Sequence, residues 1–262
     1  MEKIHASALI DSNAKVDNDV HIGAFTMIGP NVTIETGCKI HSNVVISGHT
    51  TIGKNTEIYP FCSIGERPQD LTYKGEPTKL IIGKNNVIRE YVSIHRGTMK
   101  DKGVTSIGNN NLLMAHVHLG HDVVFGDHCI IANSTNFAGH VKVGNRVIIG
   151  GGTNVSQFVS LGHGSYIGGA SGIDRDIPMF CTAYGNRIKL KGINIIGMRR
   201  QGYEKATISE VVDFFRSMES SILSPRAFVD SKEAMRDYAD NEVIEQMANE
   251  IRSSEVGIAP FI

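Results

Sequence analysis

The sequence predicts a parallel β-helix built from hexapeptide repeats, followed by a small helical bundle. Three observations carry this. An aliphatic residue recurs at every sixth position over most of the chain. Gly, Asn and Asp cluster just after it. Large rings are scarce: 6% of the 262 residues are aromatic and none is Trp. A period of six is neither the 2 of an ordinary strand nor the 3.6 of a helix. It marks a coil whose three flat sides each take one hexapeptide, the aliphatic of each side pointing inward and stacking on its counterpart in the next coil. Parallel strands buried on their inner face explain the Ile and Val bias.

The series begins Ile4, Ile10, Val16, Ile22, Ile28, Ile34 and keeps step through Ile64. It resumes at Ile82, Ile88 and Ile94, and again from Ile107 to Ile173. All twenty-six positions are apolar in a chain that is 41% hydrophobic; chance would give this with a probability on the order of 10^-10. The two interruptions, 65–81 and 97–106, are polar and rich in Gly and Lys, and are expected to be loops thrown out of the prism. Loops on a rigid scaffold often carry function. Pro178 marks the exit, and 179–203 reads as irregular and basic. Thr207 and Glu210 have capping-box spacing, and Val211, Phe214, Phe215, Met218 and Ile222 follow with helical spacing. Val243, Met247 and Ile251 form a second stripe, with a shorter segment around Lys232–Tyr238 between. The expected division is therefore a β-helix over 1–185 and a connecting segment with a helical domain over 186–262, the helices capping open strand edges at the end of the prism.

Composition excludes several classes. With 26 Lys and Arg against 27 Asp and Glu, the net charge of −1 argues against a nucleic-acid binder. No run of 18 apolar residues exists to cross a membrane, and the first twenty residues lack a signal-peptide core. Cys38, Cys62, Cys129 and Cys181 have no framework spacing, which points to a reducing, cytoplasmic compartment.

A coil of eighteen residues turns sequence into geometry. His121 stacks beneath Gly139, and Gly139 beneath Gln157; Asp122 stacks beneath His140, and His118 beneath Asn136 and Asn154. His121, Asp122, Gly139, His140 and Gln157 are expected to form one compact outward patch across three coils. A lone histidine on a turn is usually only a surface residue, but His95, His116, His118, His121, His128 and His140 crowd into less than three coils. Two chemistries suit such a cluster. Neutral imidazoles on neighbouring coils can bind Zn²⁺, as in trimeric β-helix hydratases of the γ-class carbonic anhydrase kind. Alternatively, histidine acts as general base in acyl transfer beside a backbone oxyanion donor. The Gly above His121 favours the second, because it lets a thioester approach the backbone. A non-catalytic β-helix scaffold is the third reading, against which the His121-Asp122 and Gly139-His140 pairs speak.

The segments NLLMAHVHLGHD (111–122), AGHV (138–141), SIHRGT (93–98), IGERPQDLTYKGEPT (64–78) and GINIIGMRR (192–200) resemble the UDP-N-acetylglucosamine O-acyltransferases of lipid A biosynthesis. The similarity runs along essentially the whole chain. It implies a homotrimer of left-handed parallel β-helices with active sites between subunits, and transfer of a 3-hydroxyacyl group from acyl carrier protein to the glucosamine 3-position of UDP-N-acetylglucosamine, with no metal or cofactor. It implies His121 as general base, Asp122 as the acid that orients it and Gly139 as oxyanion donor. It also implies Asp70, His95, His118, His140, Gln157, Asn194 and Arg200 as substrate contacts and Gly169 as the position that sets acyl length, a Gly there resembling members that take longer chains. Four substrate-contact positions depart from the family pattern: Thr72 for Lys, Ser156 for His, Ile196 for Glu and Gln201 for Arg. They bear on the acceptor atom, a 3-hydroxyl or a 3-amine, rather than on the reaction type. A related N-acyltransferase would carry an additional N-terminal domain, whereas this repeat starts at Ile4. The basic stretch from Arg187 to Arg200, with Lys142 and Arg146, is expected to receive the acidic carrier protein.

Overall fold

The computed structural model describes residues 3–262. Strands of mostly two residues pair, in parallel except for the last, into three sheets of nine, eight and ten strands, the three sides of a triangular prism. Where no loop intervenes the register is one coil: His118 pairs with Asn136 and Asn136 with Asn154. From Ile22 to Ile173 every residue of the six-step series is buried. The first coil is the exception: Ile10 and Val16 are half-buried and Ile4 is 43% exposed, because among the described residues a coil flanks them on one side only. The corner residues adopt positive φ. Asn43, Asn55, Asn85 and Asn110 do so readily, but Phe61, Tyr91 and Phe158 do as well. Stacking accompanies this: Phe61 lies on Tyr91, and Tyr91 on His116, with ring centroids 5.1 and 4.8 Å apart.

Both loops leave the prism at the same corner. The first lies between strands Ser63–Glu66 and Lys79–Ile82, the second between Ser93–His95 and Val104–Ile107. One coil further on, the same corner joins His118–Leu119 to Val124–Phe125 and holds His121 and Asp122. The loops are thus shorter than the sequence suggests. Residues 79–81 and 104–106 belong to strands, with Leu80 and Thr105 turned into the prism.

Residues 179–203 are more regular than expected. Cys181–Tyr184 continues the ten-stranded sheet beside Tyr166–Ile167, and Lys189–Ile193 returns antiparallel to it. Helix α1 (Ile195–Arg200) follows, capped by the Asn194 side chain accepting from the Gly197 N–H. Helix α2 (Lys205–Ser220) starts two residues before Thr207, so no capping box forms there; Glu210 instead accepts from Asn241 Nδ2 at 2.7 Å. Val211, Phe214, Phe215 and Met218 are buried, but Ile222 lies beyond the helix end and is fully exposed. A helix α3 (Pro225–Asp230), capped by Ser224 with Pro at its first position, precedes the 3-10 turn Arg236–Tyr238. Helix α4 (Glu242–Ser253) buries Val243, Met247 and Ile251 against this second core.

Two carboxyls hold the seam between prism and helices. Asp176 accepts from the Ser160 N–H and the Ser254 hydroxyl, each at 2.6 Å. Glu250 accepts from the Met179 N–H at 2.7 Å. Burial pushes the Glu250 carboxyl from its ordinary 4.5 up to about 7, with Asp176 adding to the rise. The folded chain thus keeps a proton that the unfolded chain releases near 4.5, and the associated stability is lost as pH rises through about 7. The thermal midpoint of Glu250→Gln is therefore expected to gain on the native chain as pH goes from 5 to 8; a constant difference in melting scans would remove Glu250 as the cause.

Candidate active site

The residues at this corner form a connected polar group. His121 Nδ1 lies 2.9 Å from Asp122 Oδ2. As the carboxylate can only accept, Nδ1 carries the proton and Nε2 is left as a base. Nε2 has no hydrogen-bond partner among the described residues. Asp122 also accepts from Thr98 twice, from its N–H at 2.8 Å and its hydroxyl at 2.6 Å, while its own N–H donates to Thr105 Oγ1 at 2.8 Å. Burial pushes the Asp122 carboxyl up, but the hydrogen bonds from His121 and Thr98 outweigh it, and the net shift is downward. Asp122 is therefore ionised at neutral pH and fixes the imidazole.

The stacked partner sits as eighteen-residue coils require. The His140 N–H donates to the His121 carbonyl at 3.0 Å. A β-carbon on Gly139 would stand 2.6 Å from His121 Cε1 and 2.8 Å from Nε2, so only glycine leaves the ring its place. The Gly139 N–H has no acceptor among the described residues. His140 meets His121 edge-on with centroids 5.0 Å apart and stacks on Phe158 at 4.7 Å. Gln157, one coil above Gly139, is exposed. The patch is less outward than expected: His121 is 7% and Asp122 2% exposed, because the second loop folds over them.

His118 and His95 lie beside the dyad on the nine-stranded sheet, edge to face at 5.3 Å. Ser93 Oγ is 2.8 Å from His118 Nδ1, and burial, together with the neighbouring His95 ring, lowers the His118 pKa. His95 Nδ1 donates to the Arg67 carbonyl at 2.6 Å. Asp70 and His95 border one hollow of about 620 Å³ formed by the first loop. The Lys100 ammonium, 2.7 Å from Asp70 Oδ2, and the Thr72 hydroxyl and N–H hold the Asp70 carboxyl far below the usual range. Thr72, a departure from the family pattern, thereby closes a turn on Asp70.

Asn194, Arg200 and Ile196 are elsewhere in the chain. They line a cleft of about 860 Å³ between α1 and the Ile130, Ile148 and Tyr166 face of the ten-stranded sheet, which none of His95, His118, His121 and His140 borders. Asn194 Nδ2 donates to the Gly164 carbonyl at 2.9 Å, and Gln201 Oε1 accepts from His163 at 2.7 Å. Ser156 is exposed. Gly169 is exposed above Gly151, where an added β-carbon would stand 3.0 Å from the Gly151 carbonyl oxygen.

A metal reading can be tested on the same atoms. His121, Asp122 and His140 each offer a ligand atom within 4.8 Å of the others. Both Asp122 oxygens and His121 Nδ1 are already engaged with each other and with Thr98, so an ion held through those atoms would compete with the bonds that order the dyad.

A stacked-hexapeptide prism carrying an ordered His-Asp pair over a glycine backbone defines a β-helix acyltransferase of the hexapeptide class, and the comparisons agree. The bacterial transferase hexapeptide model matches 13–48 and 31–66, and the model for UDP-N-acetylglucosamine O-acyltransferase domain 2 matches 176–259. The acyl-[acyl-carrier-protein]--UDP-N-acetylglucosamine O-acyltransferase of Pseudomonas putida is 41% identical over 98% of this chain and 99% of its own. That of Saccharophagus degradans is 44% identical over 98% and 99%. The solved structure of LpxA from Acinetobacter baumannii, 44% identical, superposes with a TM-score of 0.94 over 98% of this chain and 100% of its own. The chain belongs to the UDP-N-acetylglucosamine O-acyltransferase family and is a left-handed parallel β-helix with a small helical C-terminal part.

Thr98 and Thr105 are the residues at the site that sequence reasoning misses. Thr98 sits in SIHRGT (93–98), but stacking arithmetic fails across a loop, so nothing in its spacing points to Asp122.

Proposed function

We propose that the protein transfers a 3-hydroxyacyl group from acyl carrier protein to the glucosamine 3-position of UDP-N-acetylglucosamine, the first step of lipid A biosynthesis. The carrying observation is the His121 imidazole, ordered by ionised Asp122 and seated on Gly139 with Nε2 unpartnered. Nε2 takes the proton of the sugar 3-hydroxyl as its oxygen attacks the thioester carbonyl. The free N–H of Gly139 meets the developing oxyanion. Collapse of the tetrahedral intermediate expels the carrier thiolate, which recovers the proton from the imidazolium. No covalent enzyme intermediate and no metal is required.

The separation of Asn194 and Arg200 from the histidines supports a site shared between copies in a homotrimer, the α1 cleft of one facing the histidine corner of the next. Lys142, Arg146, Lys189, Lys191, Arg199 and Arg200 are all exposed and suit an acidic carrier protein. Among the described residues no helix is long and apolar enough to cross a membrane. The four cysteines are unpaired and buried, Cys62 and Cys129 pushed up to about 12 by burial, which accords with a cytoplasmic setting.

The test is turnover of UDP-N-acetylglucosamine with a panel of 3-hydroxyacyl carrier proteins, with and without a strong chelator. Transfer that is indifferent to the chelator, with no stoichiometric metal by elemental analysis, is expected. Chelator-sensitive activity with one zinc per chain would favour the hydratase reading.

Acyl length supplies a further prediction. Gly169 leaves its part of the surface open, so the native enzyme should prefer a longer donor. Gly169→Met adds a side chain that displaces several methylenes, at about 0.8 kcal/mol of lost burial each, and should move the kcat/KM optimum to a shorter donor with turnover retained. An unchanged length profile would show that the groove ends elsewhere.

A further inference from the structure

The geometry points to Thr98 as a positioning residue for the His121–Asp122 pair, delivered to the site by the second loop; this rests on the reading of His121 as general base. Thr98 is 3% exposed and directs two donors to one carboxylate, its N–H to Asp122 Oδ1 and its hydroxyl to Asp122 Oδ2. Asp122 Oδ2 is also the oxygen that accepts from His121 Nδ1. The carboxylate is thereby held at both oxygens from one side, and the imidazole is aligned against what remains of its accepting capacity. Oδ2 has a second basic neighbour: His140 Nε2 stands 3.9 Å away. Without the Thr98 hydroxyl the carboxylate is free to turn toward His140, and His121 loses its fixed tautomer and direction.

The rest of the loop keeps Thr98 in place. Lys100 pairs with Asp70 at 2.7 Å, and Asp101 lies 3.5 Å from His140 Nδ1. Within the loop, the Gly103 N–H returns to the Thr98 carbonyl at 3.0 Å. Three residues of one short segment therefore meet three different candidate site residues. A loop that only bridged two strands would have no reason to do so.

The experiment compares Thr98→Val, which keeps the shape and removes the hydroxyl, with Thr98→Ser, which keeps the hydroxyl. His121→Ala is assayed in parallel, and melting temperatures establish that each variant is folded. Thr98→Val is expected to lower kcat about 10- to 100-fold, the scale of a misaligned catalytic group, with KM for both substrates within about 2-fold. Thr98→Ser should recover most of that loss. Thr98→Ala serves the same purpose should the valine not be accommodated. A kcat for Thr98→Val equal to the native one, alongside an inactive His121→Ala, overturns the role of Thr98 alone. So does an equal loss in the valine and serine variants, which would mean that only the threonine's packing matters. An active His121→Ala overturns the general-base reading itself.

Discussion

His121→Ala is expected to lower kcat by about 10^2- to 10^4-fold, the range a positioned general base contributes. The fold should survive, because the ring stands at a corner outside the aliphatic columns and, among the described residues, its one hydrogen-bond partner is Asp122. The loss should fall on kcat more than on KM, since the imidazole acts on a proton that moves only in the transition state. Steady-state kinetics on the purified variant, with its melting temperature unchanged, checks this. Turnover close to native would remove His121 from the chemistry and leave His118 or His140 as the base.

Gly139→Ala should cost about 10^2-fold in kcat, as expected when a catalytic group is displaced by about an ångström. Its methyl would stand 2.6 Å from His121 Cε1 and 2.8 Å from Nε2, closer than carbon contacts allow. The ring is held by Asp122 on its other side, so it must tilt out of line. Gly139 is not among the positive-φ positions, and alanine therefore meets no backbone strain there. A loss of activity at unchanged melting temperature isolates ring displacement. Full activity would show that the imidazole has another working position.

The prism is legible in the sequence because each coil repeats the same physical demand. One inward aliphatic per side must stack on the next, so the period survives even where Phe125 and Phe137 replace Ile. The same regularity makes the His121–Gly139 and Asp122–His140 contacts readable. Legibility ends where the chain leaves the period. Thr98 reaches Asp122 and Lys100 reaches Asp70 through loop conformations that no spacing encodes. The 181–193 hairpin hides because its second strand runs antiparallel to a sheet otherwise built in one direction. In the helical part, Ser224 and Pro225 do mark the start of α3, a cap signal that the apolar stripes overshadow. Ile222 matches the stripe of α2 by accident of spacing, but the helix has ended at Ser220. The division of the candidate residues between the histidine corner and the α1 cleft is a fact of three-dimensional placement, invisible to a comparison of segments.

The shared corner of the two loops has a consequence for how such a chain can change. Both insertions are spliced between a strand of the nine-stranded sheet and one of the eight-stranded sheet, and in each case the next aliphatic of the series rejoins its column: Ile82 pairs with Ile52, and Ile107 with Ile82. Residues can thus be gained or lost in these loops beside the His121–Asp122 pair without shifting the aliphatic columns. The scaffold answers to stacking and the rim to substrate, and the two can diverge at separate rates. New acceptor preferences can then arise by lengthening or recomposing one edge while the barrel of aliphatics stays as it is.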